Sequence, residues 1–387
     1  MAPRSRRIYL HVGLPKTGTT SLQELLWHHR DAVADDGVLY PGYDRATQHR
    51  AVIDVHPERY GRWQEAGVAG VWSWLVEQLR AWQGNSVVSA ELLAPASQEE
   101  VAQVLSDLSF AEVHLVCTAR DLARQIPSVW QENIKTRDTT SLPEFLTELR
   151  REDLTEVNKR FWDYQDLPRV LRVWSENLPP ERVHVVTVPP RGTPTSVLWQ
   201  RFTSVIDIDA DKFTTDVPHH NFSLGVAETE LLRRLNESLG DDIDWPKYAI
   251  IVKDQLAADI LSHLHGPSHI PLPAGDYEWV VDTAKRFIDE IAAAGYHVVG
   301  DLTDLLPATP SEQSGGKSPA TPTDSEMLDV AVQTLAGFVK NMPTPEPPLS
   351  KRQRLTRSVR QRAEQYPQVL TARRMYWRAK ARLRRPR

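Results

Sequence analysis

Apolar residues along this chain follow two rhythms. Short continuous runs fall at residues 7–10, 37–42, 85–90, 113–118 and 182–188. Between them, apolar residues recur every three or four positions, the spacing of one buried helix face. That spacing predicts helices over 22–27, 68–82, 98–108, 120–135 and 154–177, then over 195–204, 224–238, 248–264 and 277–294. Pro127 should sit near the first turn of its helix or kink it. The stretch 45–62 has no clear period and reads as loop with short helix. Runs that are apolar without alternation are buried on both faces, the habit of parallel strands. Strand and helix taking turns then predict a three-layer α/β fold, a central parallel sheet flanked by helices. In such sheets ligands collect at the carboxyl ends of the strands. The loops after residues 10, 90 and 118 should therefore face one pocket.

The chain has 387 residues, 41% of them hydrophobic, enough for a sizeable core. Its periodic part ends near Pro307. Residues 308–325 have linker composition, rich in Ser, Thr, Pro and Gly. Residues 326–340 could form one short amphipathic helix, and a Pro-rich break follows within 326–350. Of the 46 basic side chains, 14 fall in residues 351–387 beside a single acid, Glu364, a local charge of +13. The rest of the chain carries 32 basic against 50 acidic side chains. An acidic body with a basic tail is two electrostatic objects. Cys117 is the single cysteine, so no internal disulfide can form. The basic residues at 1–7 lead directly into a strand with no apolar run before a cleavage site, so no signal peptide is expected. No apolar run approaches a membrane span. The expected compartment is cytoplasmic, with the tail at the inner membrane surface as a further option.

The richest chemistry lies in His11-Val12-Gly13-Leu14-Pro15-Lys16-Thr17-Gly18-Thr19-Thr20-Ser21. A strand, a glycine-containing loop and a helix start follow one another there. Such a loop turns backbone N–H groups toward one point, and the helix N-terminus adds about half a positive charge. This predicts an anion site, most simply for phosphate. A Walker A loop would place lysine directly after the second glycine. Here Thr19 follows Gly18, and Lys16 precedes that glycine by two positions.

The pattern P-K-T-G-T-T-S resembles the 5′-phosphosulfate loop of sulfotransferases that use 3′-phosphoadenosine-5′-phosphosulfate (PAPS). Arg120 follows the strand ending near residue 118, and Ser128 lies eight residues on, the arrangement that holds the nucleotide 3′-phosphate in that family. Guanidinium and hydroxyl suit the task as charged and neutral donors. The resemblance covers roughly residues 7–307, extends to 162–189, 221–225 and 295–302, and points to bacterial sulfotransferase-like proteins. It implies a P-loop-like version of the three-layer fold. It implies PAPS as donor, held by Lys16, Thr17, Gly18, Thr19, Thr20, Ser21, Arg120 and Ser128, and a hydroxyl-bearing acceptor on a carbohydrate, lipid or other small metabolite. The third motif of the animal cytosolic enzymes, R-K-G-x-x-G-D-W-K, is missing from this sequence. Arg191-Gly192 is the substitute considered for its 3′-phosphate contact.

An acceptor hydroxyl needs a base for its proton. Glu91, at the end of the 85–90 strand, is similar in place to the glutamate that glycan sulfotransferases use as base, and the resemblance implies Lys16 as the catalytic cation. His49 and His56 are rival bases, since the cytosolic enzymes use histidine. No metal site is expected, because His28-His29 and His219-His220 are adjacent pairs that do not share a helix face. The basic tail offers a contact for an anionic membrane surface or polyanion. Two other readings stay open: a P-loop kinase or NTPase, and a non-catalytic nucleotide-binding protein whose basic tail does the binding.

Overall fold

A computed structural model describes residues 6–60, 67–217, 222–264, 270–308 and 322–342. His219, His220, Asn221, most of the expected linker and the whole of 351–387 lie outside the described residues. Six parallel strands form one sheet flanked by helices: β1 (Arg7–His11), β2 (Val38–Leu39), β3 (Asn85–Ser89), β4 (Glu112–Ala119), β5 (Val183–Thr187) and β6 (His297–Val299). Their spatial order is β2-β3-β1-β4-β5-β6. Leu10 pairs with Val88 on one side and Leu115 on the other, and Leu115 pairs with Val183. All four are fully buried. The alternate residues Tyr9, Val87, Val116 and Val186 join a second core on the opposite face. Leu22, Leu25 and Leu26 reach that core from the Thr19–His28 helix, and Trp199 and Phe202 from the Ser196–Val205 helix. Burial on both faces explains why the strands read as unbroken apolar runs.

The sixth strand is not among the runs read from the sequence. It has three residues, pairs only with β5, and is half-exposed. Such a strand is too short to show a period. The single helix expected over 154–177 is two, Glu156–Gln165 and Leu167–Ser175. The Asp166 carboxylate accepts the Arg169 N–H at 3.1 Å, and Pro168 occupies the first turn. A cap and an N-terminal proline together restart the chain.

Pro127 lies in the interior of the Leu122–Lys135 helix, not in its first turn. Asp121 fixes that start by accepting the Arg124 N–H at 3.0 Å. The interior proline forfeits a helix hydrogen bond, a cost of about 3 kcal/mol. Burial of Ile126, Pro127, Trp130 and Ile134 along the same helix offsets it.

Within 45–62, the expected loop with short helix holds a nine-residue helix at Thr47–Val55, which packs on the helix Val71–Ala81, and a single turn at Pro57–Tyr60. The expected 248–264 helix is a π-helical segment, Ala249–Ala258, followed by a short turn at Leu261–His263. A helix at Leu142–Leu149, closed by a capping box between Ser141 and Glu144, was not anticipated.

Chain contacts group residues into two units, Met1–Leu335 and Ala336–Arg387. Of the second, only residues 336–342 are described. The Asp324–Asn341 helix begins two residues before the expected 326 and buries Met327 and Val330. Among the described residues no helix is long and apolar enough to cross a membrane.

Candidate functional site

The chain leaves β1 toward β2 and leaves β4 toward β5, on opposite sides of the sheet. The carboxyl ends of these two neighbours form the switch point where open parallel sheets bind ligands. The 12–18 loop rises there along β4. Val12 donates to the Val116 carbonyl at 3.0 Å and Leu14 to the Thr118 carbonyl at 2.9 Å, while the Thr118 N–H returns a bond to the Gly13 carbonyl at 2.6 Å. Gly13 has φ 112°, and a Cβ placed on it would lie 3.1 Å from the Glu91 Cβ. Lys16, at φ 67°, takes the left-handed conformation that most side chains avoid. Gly18 then opens the Thr19–His28 helix, whose first N–H groups have no intrahelical acceptor.

A buried polar frame holds this loop from below. The Thr118 hydroxyl meets the Thr17 hydroxyl at 2.5 Å, the Gly13 carbonyl at 3.1 Å and His11 Nε2 at 3.1 Å. His11 Nδ1 lies 2.8 Å from the Ser89 hydroxyl. Burial lowers the His11 imidazole to about 3, so the ring is neutral at physiological pH. Thr17 is therefore part of the support and does not line the cleft above it.

That cleft measures about 650 Å³. It brings together Lys16, Gly18, Thr19, Thr20, Glu91, Arg120 and Ser128. Ser21, in the first turn of the helix, is not among its lining residues. Arg120 Nη1 donates to the Lys16 carbonyl at 3.1 Å, while its Nε is buried with no protein partner. Burial, aided by Arg124 and opposed by Asp121, pulls the guanidinium down to about 10, still charged at neutral pH. A buried donor without a partner is costly. Ser128 donates its hydroxyl to the Arg124 carbonyl at 2.8 Å, so it must rotate before it can donate to a ligand. Glu91 opens the short turn after β3 and accepts from Gln23 Nε2 at 2.9 Å. The same amide also reaches the Ser89 carbonyl at 3.2 Å, tying the carboxylate to the strand end.

Neither rival base reaches the cleft. His49 is exposed on the Thr47–Val55 helix. His56 is buried at that helix's end, 3.5 Å from a Glu100 carboxylate oxygen. Neither is among the residues that line the cleft, although Gln48 of the same helix accepts the Ser89 N–H at 2.7 Å. Arg191 lines a separate cavity of about 170 Å³ with Asp121, Arg124 and Asp304. It is not in the main cleft.

Glu132 and Lys135 also line the cleft and went unanticipated. Glu132 receives Lys16 Nζ at 2.8 Å and lies 3.7 Å from Lys135 and 3.6 Å from Lys253. Burial works to raise its carboxyl, yet the three ammonium groups hold it at about 2. Burial in turn lowers Lys135 to about 8 against the pull of Glu132. Lys135 donates to the Phe222 carbonyl at 2.8 Å, and Gln131 exchanges hydrogen bonds with the Leu224 backbone. Ser128, Glu132 and Lys135 sit at i, i+4 and i+7 of one helix. That polar stripe was readable from spacing. Lys253, more than a hundred residues away, was not.

Among the described residues no group of three or more His, Cys, Asp or Glu is arranged to hold a metal ion. Comparison with protein-family models, curated proteins and solved structures found no match.

Proposed function

We propose that this chain is a sulfotransferase that moves a sulfuryl group from PAPS to an acceptor hydroxyl. The observation that carries the reading is convergence: Lys16, Glu91, Arg120 and Ser128, from three stretches of sequence, line one cleft at the sheet's switch point. The charged guanidinium of Arg120 in the cleft lining suits an anionic ligand. In this reading the loop N–H groups and Lys16 hold the 5′-phosphosulfate of a P-loop-like site. Arg120 and Ser128 take the 3′-phosphate. The acceptor oxygen bonds to sulfur as the bond from sulfur to the phosphate oxygen breaks, and adenosine 3′,5′-bisphosphate leaves. Glu91 accepts the acceptor's proton. Lys16 offsets charge on the leaving oxygen, for which it must release Glu132. The basic segment 351–387 is read as an arm for an anionic surface.

Calorimetric titration with adenosine 3′,5′-bisphosphate, adenosine 5′-monophosphate and ATP tests the reading. The bisphosphate should bind tightest, and Arg120→Ala should remove its advantage over the monophosphate. Preferential binding of ATP would sink the proposal.

A further inference from the structure

Exposed apolar surface is concentrated on one element. Among the described residues nine large apolar side chains are exposed, and five of them belong to the Asp324–Asn341 helix and the residue after it. Leu328, Val332, Leu335, Val339 and Met342 are each 57–70% exposed. They recur at intervals of four, three, four and three residues. With 3.6 residues to a turn they make one stripe, about 80° wide. Met327, Val330 and Thr334 are buried on the other side of the same helix. The helix is therefore apolar on two opposite faces, and among the described residues only one of them is covered. None of the five exposed residues lines the cleft.

We propose that this stripe docks a second copy of the chain, the two Asp324–Asn341 helices pairing in opposite directions. Alternating steps of four and three residues are the seam of a helix pair, and an apolar face no wider than that seam is shaped for another helix. A helix that seeks lipid carries lysine and arginine beside a broader apolar face. Here Asp324 and Asp329 flank the stripe near its start, and Lys340 stands near its end. Charge then sets the direction. Two copies running the same way would bring Asp324 and Asp329 against their own equivalents. Running opposite ways, those acids approach the partner's Lys340, and each helix's positive end lies beside the other's negative end. An identical helix thus supplies both the matching seam and the matching charges. Each copy offers the same patch, so the contact closes as a two-fold dimer. Two heptads bury less than the roughly 1,200 Å² of a standard interface, so the dimer is weak.

Sedimentation velocity of the full chain, from about 1 to 200 μM, tests this. The apparent mass should rise toward that of two chains, with a midpoint on the order of 10 μM for so small a contact. Leu335→Asp and Val332→Asp each put a charge into the seam at an exposed position. Circular dichroism should show the fold unchanged, and association should weaken more than about tenfold. A short bismaleimide reads the direction. Positions 328 and 342 stand about 21 Å apart along one helix. Cys117 is buried and should not react. Leu328→Cys and Met342→Cys should each stay unlinked alone and should link when mixed. A chain that stays monomeric throughout overturns the proposal, as does association that both aspartate variants leave unchanged. A monomer whose sedimentation with phosphatidylserine vesicles is lost in Leu335→Asp would assign the stripe to lipid and overturn the dimer. Linking of each cysteine variant to itself overturns the opposed pairing.

Discussion

At the scale of single residues, Lys16 has two possible partners, an incoming anion and Glu132. Lys16→Ala should lower sulfuryl transfer about a hundredfold or more, the usual loss when one donor to developing charge is removed. Labelled-sulfate turnover, with circular dichroism as a check on folding, measures it. A variant with near-normal turnover would remove Lys16 from the chemistry. Glu132→Gln should act in the opposite direction on binding. It deletes the negative charge that occupies Lys16 at 2.8 Å, so adenosine 3′,5′-bisphosphate should bind tighter, by about tenfold. Unchanged or weaker affinity would mean that the pair does not compete with the ligand. Glu91→Gln retains the shape and loses the capacity to take a proton. Nucleotide affinity should survive, and transfer should fall by about 10²–10⁴-fold. Full activity in that variant would mean that another group is the base.

At the scale of elements, the junctions of β1, β3 and β4 share one buried frame through His11, Ser89, Thr118 and Thr17. Its titration has a definite sign. The folded His11 ring protonates only near 3, against 6.5 when exposed. Between those values the unfolded state binds the extra proton, so stability is full above about pH 6.5 and declines as pH falls through that window. Urea unfolding midpoints from pH 7.5 to 4.5 should drop in the wild type and drop less steeply in His11→Gln. Parallel slopes would show that His11 is not the group responsible. This frame was invisible in the sequence, because its members are single polar residues at the ends of apolar runs. The strands β1, β3, β4 and β5 were legible because burial on both faces made their apolar runs continuous, and β2 because its short run ends at a Pro-Gly turn. The strand at His297–Val299 was not, since three half-exposed residues carry no period. The restart at Asp166 was legible in principle: an aspartate two residues before a proline is a cap followed by a first-turn residue. For the cleft, adjacency of the loop and the 120–128 junction followed from strand order. The approach of Lys253 depended on tertiary packing alone.

At the scale of the molecule, charge is divided between an acidic body and the 14 basic residues of 351–387. If that segment is an arm for anionic surfaces, deleting it should leave turnover on a small soluble acceptor near normal. Binding of the full chain to vesicles containing phosphatidylserine should weaken as salt rises, because exposed charges are screened within about 8–10 Å at physiological ionic strength. Sedimentation with such vesicles measures this. Equal vesicle binding by the deleted protein would place the contact on the body instead.

The close fit of Gly13 against Glu91 bears on how such a site can be inherited. With φ at 112° and the Glu91 Cβ 3.1 Å from where a methyl group would stand, position 13 admits no larger residue unless β3's exit moves as well. The loop and the strand end are therefore locked as one unit of variation. A lineage can reshape the far wall, around Tyr164 and Phe222, one residue at a time, and so change what the cleft accepts. It can replace Gly13 only by changing both sides of that contact together.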